Sequence, residues 1–182
     1  YIIMESTIYN FIKMIKNKTS LSIFNFITNN NDIIQIMPNL YLGTINAAHN
    51  LEILKNNNIK SIVNCTNNEE FLDYFENKSK HRLAIEDNKE ESNIQIFSDK
   101  LLDVVRFIDN QIMLDKNVLV HCYWGLMRSP TVIGAYLIMK YHMTTDDVIK
   151  FIQEKKCMTF SNIYNFKSIL LEFEKYCEDF NI

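Results

Sequence analysis

No stretch of the 182-residue sequence approaches the ~18 consecutive apolar residues that span a membrane. Residues 1–17 also lack a basic segment followed by an apolar block, so neither a membrane anchor nor a secretory leader is expected. The four cysteines, Cys65, Cys122, Cys157 and Cys177, lie far apart and form no Cys-x-x-Cys pair. That spacing argues against a disulfide scaffold and for a reducing, cytoplasmic compartment. Basic excess is missing too: the formal net charge is −3, which leaves no footprint for nucleic acid. With 47% hydrophobic and 23% charged residues, the chain can bury one core but not two comfortable domains.

Glycine, proline and arginine are scarce, at three, two and three copies. Asn, Ile and Lys are overused, the pattern of an AT-rich coding sequence, so clusters of Asn carry no functional weight. Against that background a retained glycine or arginine points to a physical need. Gly43, Gly125 and Arg128 are such positions.

In order along the chain, Ile8, Phe11, Ile12 and Ile15 make an i, i+3, i+4, i+7 stripe over residues 5–17. A helical arm is therefore expected within residues 1–31, either packed on its own domain or serving a partner or second copy as a dimerisation helix. The main domain is expected over 32–182. Residues 33–36 and 40–42 read as short strands around the turn dipeptide Pro38-Asn39. Residues 45–56 read as one helix and 59–65 as a buried strand. The polar stretch 66–80, with Phe71, Leu72 and Phe75 inside it, predicts a short helix, and 83–85 is a further apolar run. A charged loop, 86–93, precedes a long helix over 94–114. A strand at 118–120 and helices over 130–141, 145–155 and 163–176 complete the chain. Strands alternating with helices predict an α/β fold, a central, mostly parallel sheet of about five strands flanked by helices.

Residues 118–130 carry the chemistry. An apolar strand ends in His121-Cys122, Arg128 follows after five residues, and Ser129-Pro130 opens a helix. Curled around a phosphate, the backbone N–H groups of Tyr123, Trp124, Gly125, Leu126, Met127 and Arg128 would form an anion nest, reinforced by the helix N-terminus. Gly125 permits the close approach or positive φ such a curl needs. Arg128 can donate a bidentate pair to two phosphate oxygens. Pro130 sits in the first helical turn, where a missing N–H costs nothing. Helix N-termini and cationic neighbours bring cysteine thiols into the range of about 3.5–7.5, which makes Cys122 the expected thiolate nucleophile. His121 is expected to point away from substrate and organise the loop, and Ser129 to donate its hydroxyl to the sulfur. A general acid is still needed. Asp87, on the charged loop, is the first choice, with Glu86 its neighbouring rival; Asp73 and Asp99 fall in expected helices. No metal or other cofactor is expected.

His121-Cys122-x-x-Gly125-x-x-Arg128-Ser129 resembles the signature of the dual-specificity protein phosphatases, within the protein tyrosine phosphatase superfamily. Pro38-Asn39-Leu40-Tyr41-Leu42-Gly43 is similar to that family's strand and turn near the domain start, and Ala135-Tyr136-Leu137-Ile138 to its post-loop helix. The resemblance runs from about Ile33 to Tyr176. It implies a phosphotyrosine protein phosphatase-like fold and a phosphorylated protein as substrate, at phosphotyrosine and phosphoserine or phosphothreonine. It also implies that Asn162 braces the loop and that Cys65 forms a reversible disulfide with the nucleophile, as in some relatives. Some compact viral relatives dimerise through an N-terminal helix, which implies a homodimer here. The chain departs from the pattern at Trp124 and Met127, bulky where relatives are small; both are expected on the rim, altering selectivity. Ser161 replaces the usual proline before Asn162, and the loop after Asp87 is one residue longer than usual. A phosphoinositide or RNA 5′-phosphatase, or an inactive phosphate-binding scaffold module, is the alternative reading. Uncharged side chains at the variable loop positions argue against a polyanionic ligand.

Overall fold

The computed structural model describes residues 32–84, 91–160 and 164–182. The expected N-terminal arm, Glu86, Asp87 and Asn162 lie outside the described residues.

Strands β1 (Ile33–Met37) and β2 (Leu40–Gly43) form an antiparallel hairpin. Asn39 turns it at φ 65°, in the left-handed region that Asn tolerates better than most residues. Three further strands, β3 (Ile59–Asn64), β4 (Lys80–Arg82) and β5 (Asn117–His121), run parallel to β2. The sheet order is β1-β2-β5-β3-β4 among the described residues, with β5 central and parallel to both its neighbours. The expected α/β architecture with a mostly parallel five-stranded sheet is what forms.

Both faces of the sheet are buried, which is why its inner strands read as unbroken apolar runs. Side chains alternate between faces along a strand. Val118 and Val120 of β5 face the larger core, while Leu119 faces the smaller one with Tyr41, Leu54, Ile59 and Ile62. The larger core is closed by α-helices running over Glu91–Met113, Arg128–Tyr141, Thr145–Lys155 and Tyr164–Phe180. Leu101, Val105 and Ile108 of the first, Val132 and Tyr136 of the second, Ile152 of the third and Leu170 of the fourth meet there. A buried polar tie adds register: Ser61 Oγ donates to Gln111 Oε1 at 2.7 Å, and Lys116 Nζ to the same oxygen at 3.1 Å.

Three expectations need correcting. The single helix over 45–56 is two, α1 (Ile45–His49) and α2 (Leu51–Asn56). Asn50 breaks it by leaving helical space at φ −103°, ψ 102°, and its side chain instead caps α2, accepting from the N–H groups of Glu52 and Ile53. The expected helix within 66–80 is absent save for a 3₁₀ turn at Asn77–Ser79. Arg82 takes over its hydrogen bonding, donating to the carbonyls of Thr66 (3.1 Å), Asn67 (3.1 Å) and Glu69 (2.7 Å). The fourth strand falls on Lys80–Arg82 rather than on the apolar run 83–85. As an edge strand it needs no continuous apolar sequence, and Leu83 of that run is tied to the neighbouring strand, its N–H donating to Asn64 O at 2.9 Å. In chain order the four long helices are α3 (Glu91–Met113), α4 (Arg128–Tyr141), α5 (Thr145–Lys155) and α6 (Tyr164–Phe180). Asp99 is helical as expected, whereas Asp73 sits in a turn.

Candidate active site

In open α/β sheets ligands bind beyond the carboxyl ends of the parallel strands. Here that edge is built around β5, whose last residue, His121, pairs with Gly43 on one side and Asn64 on the other. Cys122 follows at once, buried at 2% exposure, and the chain curls through residues 123–127 into α4.

The loop is held from outside through its carbonyl groups. Tyr123 O accepts from the Ile45 N–H at 3.1 Å, and Leu126 O from the Phe160 N–H at 2.9 Å. Trp124 O accepts from Lys156 Nζ at 3.2 Å. Met127 O accepts from the Thr131 N–H at 3.1 Å and from its hydroxyl at 2.9 Å. Carbonyls anchored outside the curl leave amides for its inside, the disposition of an anion nest. Cys122 Sγ accepts two hydrogen bonds at 3.2 Å, from the Gly125 N–H and from Ser129 Oγ. A thiolate is the sulfur species best served by two donors and no acceptor.

Two backbone conformations make the curl possible. Gly125 has φ 66°, and a Cβ there would stand 2.8 Å from Gly43 O, so both the left-handed turn and the close approach require glycine. Phe160, fully buried, holds φ 56°, which costs a residue with a Cβ about 1–2 kcal/mol. Its amide is the one that reaches Leu126.

Arg128 opens α4 nearly buried and donates from Nη1 to Cys65 O at 3.2 Å. His121 is 1% exposed, and burial pushes its pKa down to about 3, so the ring is neutral at physiological pH. The Cys65 N–H donates to His121 O at 2.9 Å, which sets Cys65 beside Cys122 at the ends of adjacent parallel strands. Burial, and secondarily the negative charge on Cys122, raises the Cys65 thiol well above its usual range, only partly offset by Arg128. Tyr123 and Trp124 stand at the surface, each 45% exposed, in an edge-to-face pair with ring centroids 5.1 Å apart. Leu126 and Met127 are both half-buried, and Met127 packs against the larger core. Lys156 was invisible in the sequence, one lysine among many in a lysine-rich chain.

The fold and this edge thus define a class: an α/β protein presenting a cysteine under a backbone oxyanion loop closed by an arginine. Residues 40–176 match the family described as dual specificity phosphatase, catalytic domain, and the chain belongs to that family. Dual specificity protein phosphatase 9 of Homo sapiens is 36% identical over 145 residues, which cover 78% of this chain and 36% of that protein. Dual specificity protein phosphatase 6 of Homo sapiens is 34% identical over 145 residues, again covering 78% of this chain and 36% of that protein. The chain spans about a third of the length of these curated relatives. Among solved structures, human DUSP28 shares the fold with TM-score 0.71 at 19% identity, covering 81% of this chain and 96% of that one. Human tyrosine phosphatase-like serine/threonine/tyrosine-interacting protein aligns with TM-score 0.69 at 26% identity, covering 79% and 96%.

Proposed function

We propose that this chain is a cysteine-dependent protein phosphatase that hydrolyses phosphotyrosine and phosphoserine or phosphothreonine in protein substrates. The observation that carries the reading is the pair of hydrogen bonds donated to Cys122 Sγ inside a loop whose carbonyls are tied outward. In the first step Cys122 Sγ bonds to phosphorus as the P–O bond to the leaving group breaks. Asp87 gives its carboxyl proton to the departing oxygen. In the second step a water oxygen bonds to phosphorus, the S–P bond breaks, and the Asp87 carboxylate accepts the water proton. The amides of residues 123–128 and the Arg128 guanidinium hold the equatorial oxygens throughout. Ser129 stabilises the sulfur as it leaves, His121 fixes the loop backbone as a neutral ring, and Asn162 braces the loop.

Exposed, uncharged Tyr123 and Trp124 at the rim favour a protein phosphoester over an inositide or an RNA 5′ end. The relative named as tyrosine phosphatase-like and as an interacting protein keeps a binding-only module as the competing class. Turnover of p-nitrophenyl phosphate and of phosphotyrosine and phosphothreonine peptides without added metal, lost in Cys122→Ser and unaffected by chelator, is the expected result. Binding of phosphopeptide with no turnover in the wild-type chain would establish the module instead. Asp87→Asn is expected to lose turnover and keep binding; a wild-type rate would move the acid to Glu86. Residues 32–182 are the proposed catalytic domain and 1–31 an appended arm that dimerises the chain through its helix. Removal of residues 1–31 is then expected to convert a dimer to a monomer in light scattering, and an unchanged mass would dismiss that role. The four free cysteines favour a reducing compartment, and no described helix is long and apolar enough to cross a membrane.

A further inference from the structure

Lys156 caps the C-terminus of α5 and is buried at 2% exposure. A buried ammonium is costly unless a negative group balances it. No carboxylate forms an ion pair with Lys156 among the described residues, and its side chain makes one hydrogen bond, to Trp124 O. The Nζ reaches so far under the loop that a Cβ on Gly125 would stand 3.0 Å from it. Two negative groups act on it, Cys122 first and Asp32 second. Asp32 is already engaged, accepting from Thr44 Oγ1 at 2.7 Å and from Asn46 Nδ2 at 3.5 Å. Of the two, the sulfur at the centre of the site is the larger influence on Lys156 and Asp32 the smaller.

We propose that Lys156 is a positioning residue of the phosphate loop and its second fixed cation, holding the Trp124 carbonyl outward while balancing the negative charge on Cys122. This rests on the reading of Cys122 as the thiolate nucleophile. Arg128 shares that balance, and the remaining titratable groups around the sulfur do not add to it. His121 is neutral because it is buried. Cys65 is held as a thiol by burial and by the charge on Cys122. Arg128 is the first fixed cation, and it also donates from Nη1 to Cys65 O. Burial lowers the ammonium pKa of Lys156, and the negative charges on Cys122 and Asp32 oppose that shift. A negative charge on Cys122 therefore favours the ammonium form of Lys156. Placed behind the backbone and not in the nest, the ammonium would also add a positive field to an arriving phosphate without occupying its site.

The test reads the sulfur directly, without turnover. Cys122 is alkylated with iodoacetamide across pH, and the modified peptides are quantified by mass, with exposed Cys157 as the internal reference. Lys156→Gln keeps an N–H donor for the Trp124 carbonyl and deletes the charge; Lys156→Arg keeps the charge. Relative to wild type, alkylation of Cys122 at pH 6 is expected to fall about tenfold in Lys156→Gln, the low end of what one opposite charge contributes. The profile should move to higher pH in that variant and stay within about threefold of wild type in Lys156→Arg. A wild-type profile in Lys156→Gln overturns the proposal. Wild-type Cys122 reacting no faster at pH 6 than Cys157 would instead overturn the thiolate assignment itself, and this proposal with it. Should Lys156→Gln fail to fold, the ammonium is titrated by NMR of 13C-lysine-labelled protein. Removing the sulfur charge in Cys122→Ser is expected to lower the Lys156 titration by about one unit relative to wild type. An identical titration in both proteins overturns the proposal equally.

Discussion

Acid should undermine this fold through one residue, His121. The ring closes the central strand of the sheet at 1% exposure, and its pKa falls from 6.5 to about 3, first through burial and then through the nearby positive groups. The folded value lies below the unfolded one, so the unfolded chain takes up the proton that the folded chain refuses. The stability carried by the neutral ring is therefore fully present above about pH 6.5 and drains away as pH falls towards about 3. Each unit of the gap is worth about 1.4 kcal/mol, so the loss between pH 7.5 and pH 5 amounts to about 2 kcal/mol. That is a large share of a typical domain's net stability. His121→Asn removes the titration and retains the backbone pairing with Gly43 and Asn64. The measurement is urea unfolding by far-UV circular dichroism at both pH values in both proteins. The variant will differ in absolute stability, so the informative quantity is the change with pH. His81, half-buried and lowered in the same direction by burial, is present in both proteins and cancels. Wild type should lose about 2 kcal/mol more than His121→Asn over that interval. Equal losses would refute a buried neutral imidazole.

Further outcomes follow from single contacts. Gly125→Ala puts a Cβ 2.8 Å from Gly43 O at a φ of 66°, so the loop must open. A catalytic misplacement of about 1 Å costs on the order of 100-fold, so kcat/KM should fall at least that far and vanadate binding should weaken; wild-type kinetics would contradict the nest. Hydrogen peroxide is expected to oxidise Cys122 to the sulfenic acid, which Cys65 then captures as a disulfide with loss of water. Mass mapping that finds no Cys65–Cys122 linkage, with recovery by thiols equally fast in Cys65→Ser, would remove Cys65 from any redox role. Gln111→Leu deprives the buried Ser61 hydroxyl and Lys116 of their shared acceptor and should cost about 1–3 kcal/mol in thermal unfolding while leaving kcat intact. An unchanged Tm would show the tie to be replaceable.

The part of the site that the sequence displayed openly is the part that is contiguous. Strand, loop and helix over residues 117–141 are one covalent run, in which Gly125 and Pro130 each answer a local backbone demand. Cys65 was within reach because its strand runs beside β5. Lys156 and Phe160 were not, since each acquires meaning only where the end of α5 folds back beneath the loop. Nothing local marks a phenylalanine for φ 56°. The stretch 66–80 departs from its helical pattern for a related reason. Its apolar spacing suits a helix, but Arg82, from outside the stretch, supplies the hydrogen bonds that a helix would have made internally. Asn50 shows the opposite case, a capping residue whose side-chain preference is local and outweighs the helical pattern around it.

The outward-tied carbonyls at 123, 124, 126 and 127 separate two tasks that binding sites usually combine. In the proposed reading the grip on phosphate from these positions comes from main-chain amides set in place when the domain folds, which lowers the ordering cost at ligand arrival. The side chains at these same positions are then free of that duty. Tyr123 and Trp124 can be exchanged for other residues while the amides beneath them keep their places. A chain built this way can drift in what it recognises without losing its hold on the phosphoryl group, and a designer could rewrite its rim as an address label while leaving the engine untouched.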